Sequence, residues 1–96
     1  MTAEKGSLER GTSARDEVAA AVKAIVAEQL GAAPESIEER HDLEGDLGAD
    51  SLTLVEIMME VEEHFDVTVP DEAGSRIRTV GQIVDGVWGL LGNAGG

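Results

Sequence analysis

The chain has no cysteine among its 96 residues, so it can form no disulfide, present no thiolate nucleophile and build no cysteine metal site. Aromatic residues are nearly missing too: Phe65 and Trp88 stand alone, which leaves Val, Ile, Leu, Met and Ala to make the core and favours packed helices. Basic residues are scarce, 7 against 20 acidic ones, and the formal charge of −13 repels nucleic acid and anionic membrane surfaces. The longest apolar runs fall well short of the ~20 residues that span a bilayer, and "MTAEKGSLERGTS" lacks the apolar segment of a signal peptide. These absences predict one small, cytoplasmic, monomeric domain without membrane insertion, whose partners carry basic patches. The charge is uneven as well, because positions 41 to 75 hold eleven Asp or Glu and no Lys or Arg.

What is present reads as helices. Residues 1–12 have no apolar period and are expected to be a flexible tail, as is 92–96, leaving 13–91 as the folded unit. Ser13 as N-cap, Asp16 three residues later and Val18, Val22, Ile25 and Val26 at helical spacing predict a first helix that ends at Gly31. A long loop follows, broken by Pro34, Gly45 and Gly48 and anchored by Ile37, Leu43 and Leu47; a loop of that length in so small a domain points to function. Asp50 then caps a second helix over 51–64. "DVTVP" alternates like a strand but has no second strand to satisfy its backbone, so it is assigned as an extended link into a short third helix. Thr79 and Gln82 form a capping box before Val80, Ile83, Val84, Val87, Trp88 and Leu91, the apolar face of a last helix. The expected class is all-α: a small four-helix bundle with a long loop between helices 1 and 2 and a short third helix.

The second helix carries two apolar stripes. At ~100° per residue, Leu54, Ile57, Met58, Val61 and Phe65 share one side and serve as a core face. Leu52, Val55 and Met59 fall on another, with Glu56, Glu60, Glu62 and Glu63 around them, a strip suited to a transient partner steered by charge. Folding alone accounts for such a stripe only if the bundle covers most of the helix. Ser51, in the first turn, is either a plain capping residue or a site for a bound or attached anion, since free N–H groups and the helix dipole both favour negative charge there.

Two sharper chemistries are opposed by spacing. A nucleophilic serine needs a base, an orienting acid and an oxyanion hole. His64 lies ~20 Å along the same helix at 1.5 Å per residue, which leaves only His41 within conceivable reach. In "DLEGDLGAD" an EF-hand register from Asp42 requires glycine at position 47 and glutamate at 53, where the chain has Leu47 and Thr53, so no metal site is assigned.

"LGADSLTLVEIMMEVEEHFDVTVPDEAGSRIRTV" together with "VKAIVAEQLG" resembles the acyl carrier protein family over about Asp16 to Leu91. The resemblance implies 4′-phosphopantetheine attached to Ser51 from coenzyme A by a phosphopantetheinyl transferase, with Asp50 and Leu52 in the block that the transferase reads. It implies acyl cargo held as thioesters, no catalysis by the chain itself, and a second helix whose Leu52, Val55, Glu56, Met59, Glu60, Glu62 and Glu63 meet acyl-loading and acyl-processing enzymes. In many family members the bundle also admits the acyl chain, which places Met58 and Phe65 near cargo. Thr53 and His64 stand where fatty-acid carriers commonly have acids, which makes polyketide or other specialised biosynthesis as expected a setting as fatty-acid synthesis. "GADS" is more similar to acyl than to aminoacyl or peptidyl carriers. Those, and an unmodified acidic adaptor, are the alternatives.

Overall fold

The computed structural model describes residues 14–92. The expected cap at Ser13 and the expected tails, apart from Gly92, lie outside them. The elements in chain order are α1 (Ala14–Leu30), a 3₁₀ turn (Pro34–Ser36), α2 (Ser51–Phe65), α3 (Asp71–Gly74) and α4 (Val80–Leu90). Among the described residues there is no strand, only an isolated antiparallel bridge between Asp42 and Thr79.

Each long helix ends for a local reason. Gly31 takes a left-handed φ of +69° after α1, and the Ala32 N–H reaches back to the Ala27 carbonyl at 2.9 Å, a Schellman closure that satisfies a terminal acceptor. Asp66 does the same after α2 at φ 56°, with the Val67 N–H on the Glu62 carbonyl at 3.1 Å; Asp is one of the few side chains that tolerate this region. The capping box at Thr79 and Gln82 is formed, the Gln82 N–H donating to Thr79 Oγ1 at 3.2 Å and the Thr79 N–H to Gln82 Oε1 at 3.0 Å.

α1 packs against both α2 and α4. Its Val22, Ile25 and Val26 meet Ile57 and Val61 of α2 and Val80, Ile83, Val84 and Val87 of α4 in one core, closed from the loop by Ile37, Leu43 and Ala49. Burying each such aliphatic side chain contributes roughly 1.5–3 kcal/mol, so the core is the main source of stability in a chain without cross-links. Leu47, Leu54, Met58, Phe65 and Trp88 pack on its edges. Leu91 departs from expectation: it is the C-cap of α4 and is 41% exposed, as is Leu90 before it at 42%, so the apolar face stops contributing to the core after Trp88.

The long loop is held by backbone pairing that sequence periodicity does not reveal. Its Glu39 and His41 carbonyls accept from the Gly81 and Val80 N–H groups at 2.8 and 3.1 Å, satisfying donors in the first turn of α4. The fit at Gly81 is tight, since a Cβ there would sit 3.1 Å from the Glu39 carbonyl oxygen and the loop would have to give by a few tenths of an ångström. The Arg15 guanidinium clamps the same junction from α1, meeting both oxygens of Glu39 at 3.0 and 3.1 Å and Asp85 of α4 at 2.6 Å. The side-chain hydrogen bonds to Glu39 and then Asp85 raise the already high pKa of Arg15 further.

Candidate functional site

The segment leading into α2 is a tight, self-bonded loop. Asp42 Oδ1 accepts from the N–H groups of Glu44 and Gly45 at 3.0 and 2.7 Å, while the Asp42 N–H donates to Asp46 Oδ2 at 2.7 Å. The Asp42 carbonyl accepts from Asp46 and Leu47, Gly48 turns with φ +74°, and the Ala49 N–H closes onto the Leu43 carbonyl at 2.9 Å. Ala49 is buried, so the chain emerges at Asp50 from a fixed base. The acidic residues at 42 and 46 thus spend carboxylate oxygens on backbone donors.

Asp50 is the N-cap of α2, its Oδ1 accepting from the Thr53 N–H at 2.8 Å. That bond, which favours the ionised form, lowers the pKa of Asp50 below the ordinary 3.8. Ser51 follows as the first helical residue, exposed, with no hydrogen-bond partner for its hydroxyl among the described residues. The two histidines are engaged elsewhere. His41 Nδ1 accepts from the Glu38 N–H at 3.0 Å, and His64, at the far end of α2, stands edge-on to Phe65 with ring centroids 4.7 Å apart. Ser51 therefore has an accessible hydroxyl and no imidazole in contact with it.

Along α2 the two stripes separate as the spacing predicts. Ile57 and Val61 are fully buried, and Leu54, Met58 and Phe65 are half-buried against the core. Leu52, Val55 and Met59 are 65%, 54% and 61% exposed, an apolar strip that folding leaves in solvent. The four glutamates divide. Glu56 and Glu63 are exposed and make no ion pair with any described residue. Glu60 accepts from Gln29 Nε2 of α1 at 2.9 Å, and Glu62 accepts from the Val69 N–H at 2.7 Å, pinning the extended link after α2. Both engaged residues are half-buried, so each presents less free charge than its place on the helical wheel suggests. The loop contacts that fix Ser51 escaped sequence reading; Gly48 and the Asp42–Asp46 spacing were their only signals.

Residues 20–87 match the family described as PP-binding, the phosphopantetheine attachment site. An acyl carrier protein of Wolinella succinogenes is 46% identical over 63 residues, an alignment spanning 66% of this chain and 83% of that one. Among solved structures, an acyl carrier protein from Enterococcus faecalis superposes with a TM-score of 0.67 at 29% identity, covering 79% of this chain and 96% of the other.

Proposed function

Because the chain belongs to the acyl carrier protein family, whose cofactor is covalently attached 4′-phosphopantetheine, we propose that Ser51 is its attachment residue and that the protein shuttles acyl groups between enzymes without catalysing their chemistry. The observation that carries this is the exposed Ser51 hydroxyl at the start of α2, unpartnered among the described residues, beside a cap that holds the helix end in place. A phosphodiester fits there, because the first-turn N–H groups and the helix dipole favour an anion. In the transfer, the Ser51 oxygen bonds to phosphorus of coenzyme A, the diphosphate P–O bond breaks, and adenosine 3′,5′-bisphosphate leaves while the transferase takes the hydroxyl proton. The arm supplies a thiol, which the chain itself lacks, to hold acyl groups as thioesters.

Docking belongs to the exposed strip of Leu52, Val55 and Met59, with Glu56 and Glu63 as the free charges that steer a basic partner. Glu60 and Glu62 contribute with one oxygen each already engaged. The phosphopantetheinyl transferase and the acyl-loading and acyl-processing enzymes are the partners of this surface, in fatty-acid or polyketide-type biosynthesis in the cytoplasm. No described helix is long and apolar enough to cross a membrane.

The test is intact mass after incubation with coenzyme A and a broad-specificity transferase. The wild type should gain one phosphopantetheine and Ser51→Ala none, with the variant's stability within about 0.5 kcal/mol of wild type, as for an exposed position. Failure of folded wild type to gain the arm would leave Ser51 as a surface residue of an unmodified adaptor.

A further inference from the structure

A groove lies beside the first turns of α2. Its lining combines the apolar Leu43, Leu54 and Ile77 with the charged Asp42, Glu44 and Arg78. It shares Leu54 and Gly74 with a more apolar cleft between α2 and α3 that is lined by Met58, Val69 and Pro70, and those three residues also line a cleft that extends to α4 at Leu90. The lining is therefore polar beside the loop that leads into α2 and more apolar toward α3 and α4.

Arg78 lines this groove from a fixed backbone. Its backbone is held on both sides: the N–H donates to Gln82 Oε1 at 2.6 Å, and the carbonyl accepts from the Leu43 N–H at 2.8 Å. The Leu43 carbonyl in turn accepts from Ala49, two residues before Ser51, so two backbone hydrogen bonds connect the platform of Ser51 to that of Arg78. The guanidinium, by contrast, is exposed and forms no ion pair or hydrogen bond with any described residue, although Asp42 and Glu44 line the same groove. Five N–H donors thus extend from a fixed backbone with no partner among the described residues. Arg15 and Arg40 are paired with carboxylates, whereas Lys23 and Arg76 have no such partner among the described residues; of these unpaired cations, Arg78 is the one that lines the groove beside the first turns of α2.

We propose that Arg78 is a cargo-specificity residue. It donates hydrogen bonds to a neutral oxygen near the thioester end of the acyl group, while the remainder of the chain lies in the apolar cleft beyond. The preferred cargo is then an acyl group with a hydroxyl or ketone close to the thioester and an apolar tail. A saturated chain leaves the guanidinium unused, and a carboxylate at this position is repelled by Asp42 and Glu44. This inference rests on Ser51 bearing the arm.

The experiment loads full-length wild type, Arg78→Met and Arg78→Lys from octanoyl- and 3-hydroxyoctanoyl-coenzyme A with a broad-specificity transferase. Cleavage of each thioester by hydroxylamine is then followed by intact mass, and the Arg78 Nε–H resonance is compared between the two loaded wild-type forms. Taking each Met-to-wild-type rate ratio cancels the intrinsic reactivity of the thioester. The ratio should be about fivefold for 3-hydroxyoctanoyl, the size of one net hydrogen bond, and near one for octanoyl. Arg78→Lys, which keeps a cationic donor, should fall between, and the Nε–H resonance should move only with the hydroxylated cargo. Equal ratios for the two cargoes, or an Nε–H resonance indifferent to the hydroxyl, would overturn the proposal while leaving the attachment site standing. Absence of any mass gain at Ser51 would reject the attachment reading instead, and is visible before any cleavage is measured.

Discussion

At the scale of single residues the site depends on small groups whose neighbours have been arranged in advance. Ser51 needs no local base, because its role in the proposed function is to be reached; what it needs is a stationary backbone, and Asp50 provides part of that by capping α2 through the Thr53 N–H. The capping bond is strongest to the carboxylate, and it lowers the folded pKa of Asp50 beneath the ordinary 3.8. A carboxyl whose pKa is depressed on folding adds stability that is complete above its unfolded value and disappears as pH falls through the folded one. Asp50→Ala should therefore lower the unfolding temperature by roughly 5 °C at pH 7, a cap-sized change for a domain of this length. The gap between variant and wild type should close as pH drops below 3.8. Thermal unfolding followed by circular dichroism across pH 2 to 7 reads both effects, and a gap that stays constant with pH would show that the carboxylate form is not what caps the helix.

At the scale of elements, α2 divides its circumference between two tasks. Ile57 and Val61 bury one side, and Leu52, Val55 and Met59 remain in solvent on another with Glu56 and Glu63 beside them. Since those two glutamates have no partner to lose among the described residues, reversing both to Lys should leave helicity and stability nearly unchanged. The same change should cut kcat/KM for transferase loading by about tenfold or more, through lost steering of a basic partner. Wild-type loading should also slow as ionic strength rises and the Debye length shrinks from ~30 Å to below ~10 Å. Stopped-flow or discontinuous mass assays across salt concentration test this, and a wild-type rate indifferent to salt would remove charge steering from the account. Reversal of Glu60 or Glu62 is a poorer probe, because each also holds a structural hydrogen bond, to Gln29 and to the Val69 N–H.

At the scale of the whole molecule, a net charge of −13 on 96 residues means that the folded state concentrates mutually repelling carboxylates. Screening should relieve this, so the unfolding temperature should rise by on the order of 5 °C between ~10 mM and ~200 mM NaCl. Calorimetry over that range decides it: a flat or falling temperature would mean that the attractive Arg15–Glu39–Asp85 clamp outweighs the general repulsion. By itself the sequence determined the four helices, their main caps, the buried and exposed stripes of α2 and the position of Ser51, because each is written in spacing of 3 to 4 residues or in adjacent capping pairs, and such local patterns survive without knowledge of the fold. It also carried the family, through the residues around Ser51. Tertiary structure alone decided the antiparallel pairing of the loop with the start of α4, the close approach of the loop to Gly81, the clamp of Arg15 across three segments, the partial engagement of Glu60 and Glu62, and the exposure of Leu91. Apart from Leu91 and the Glu62–Val69 bond, which spans seven residues, these join groups far apart along the chain through backbone carbonyls or single charged side chains, and neither leaves a periodic trace from which its partner can be read.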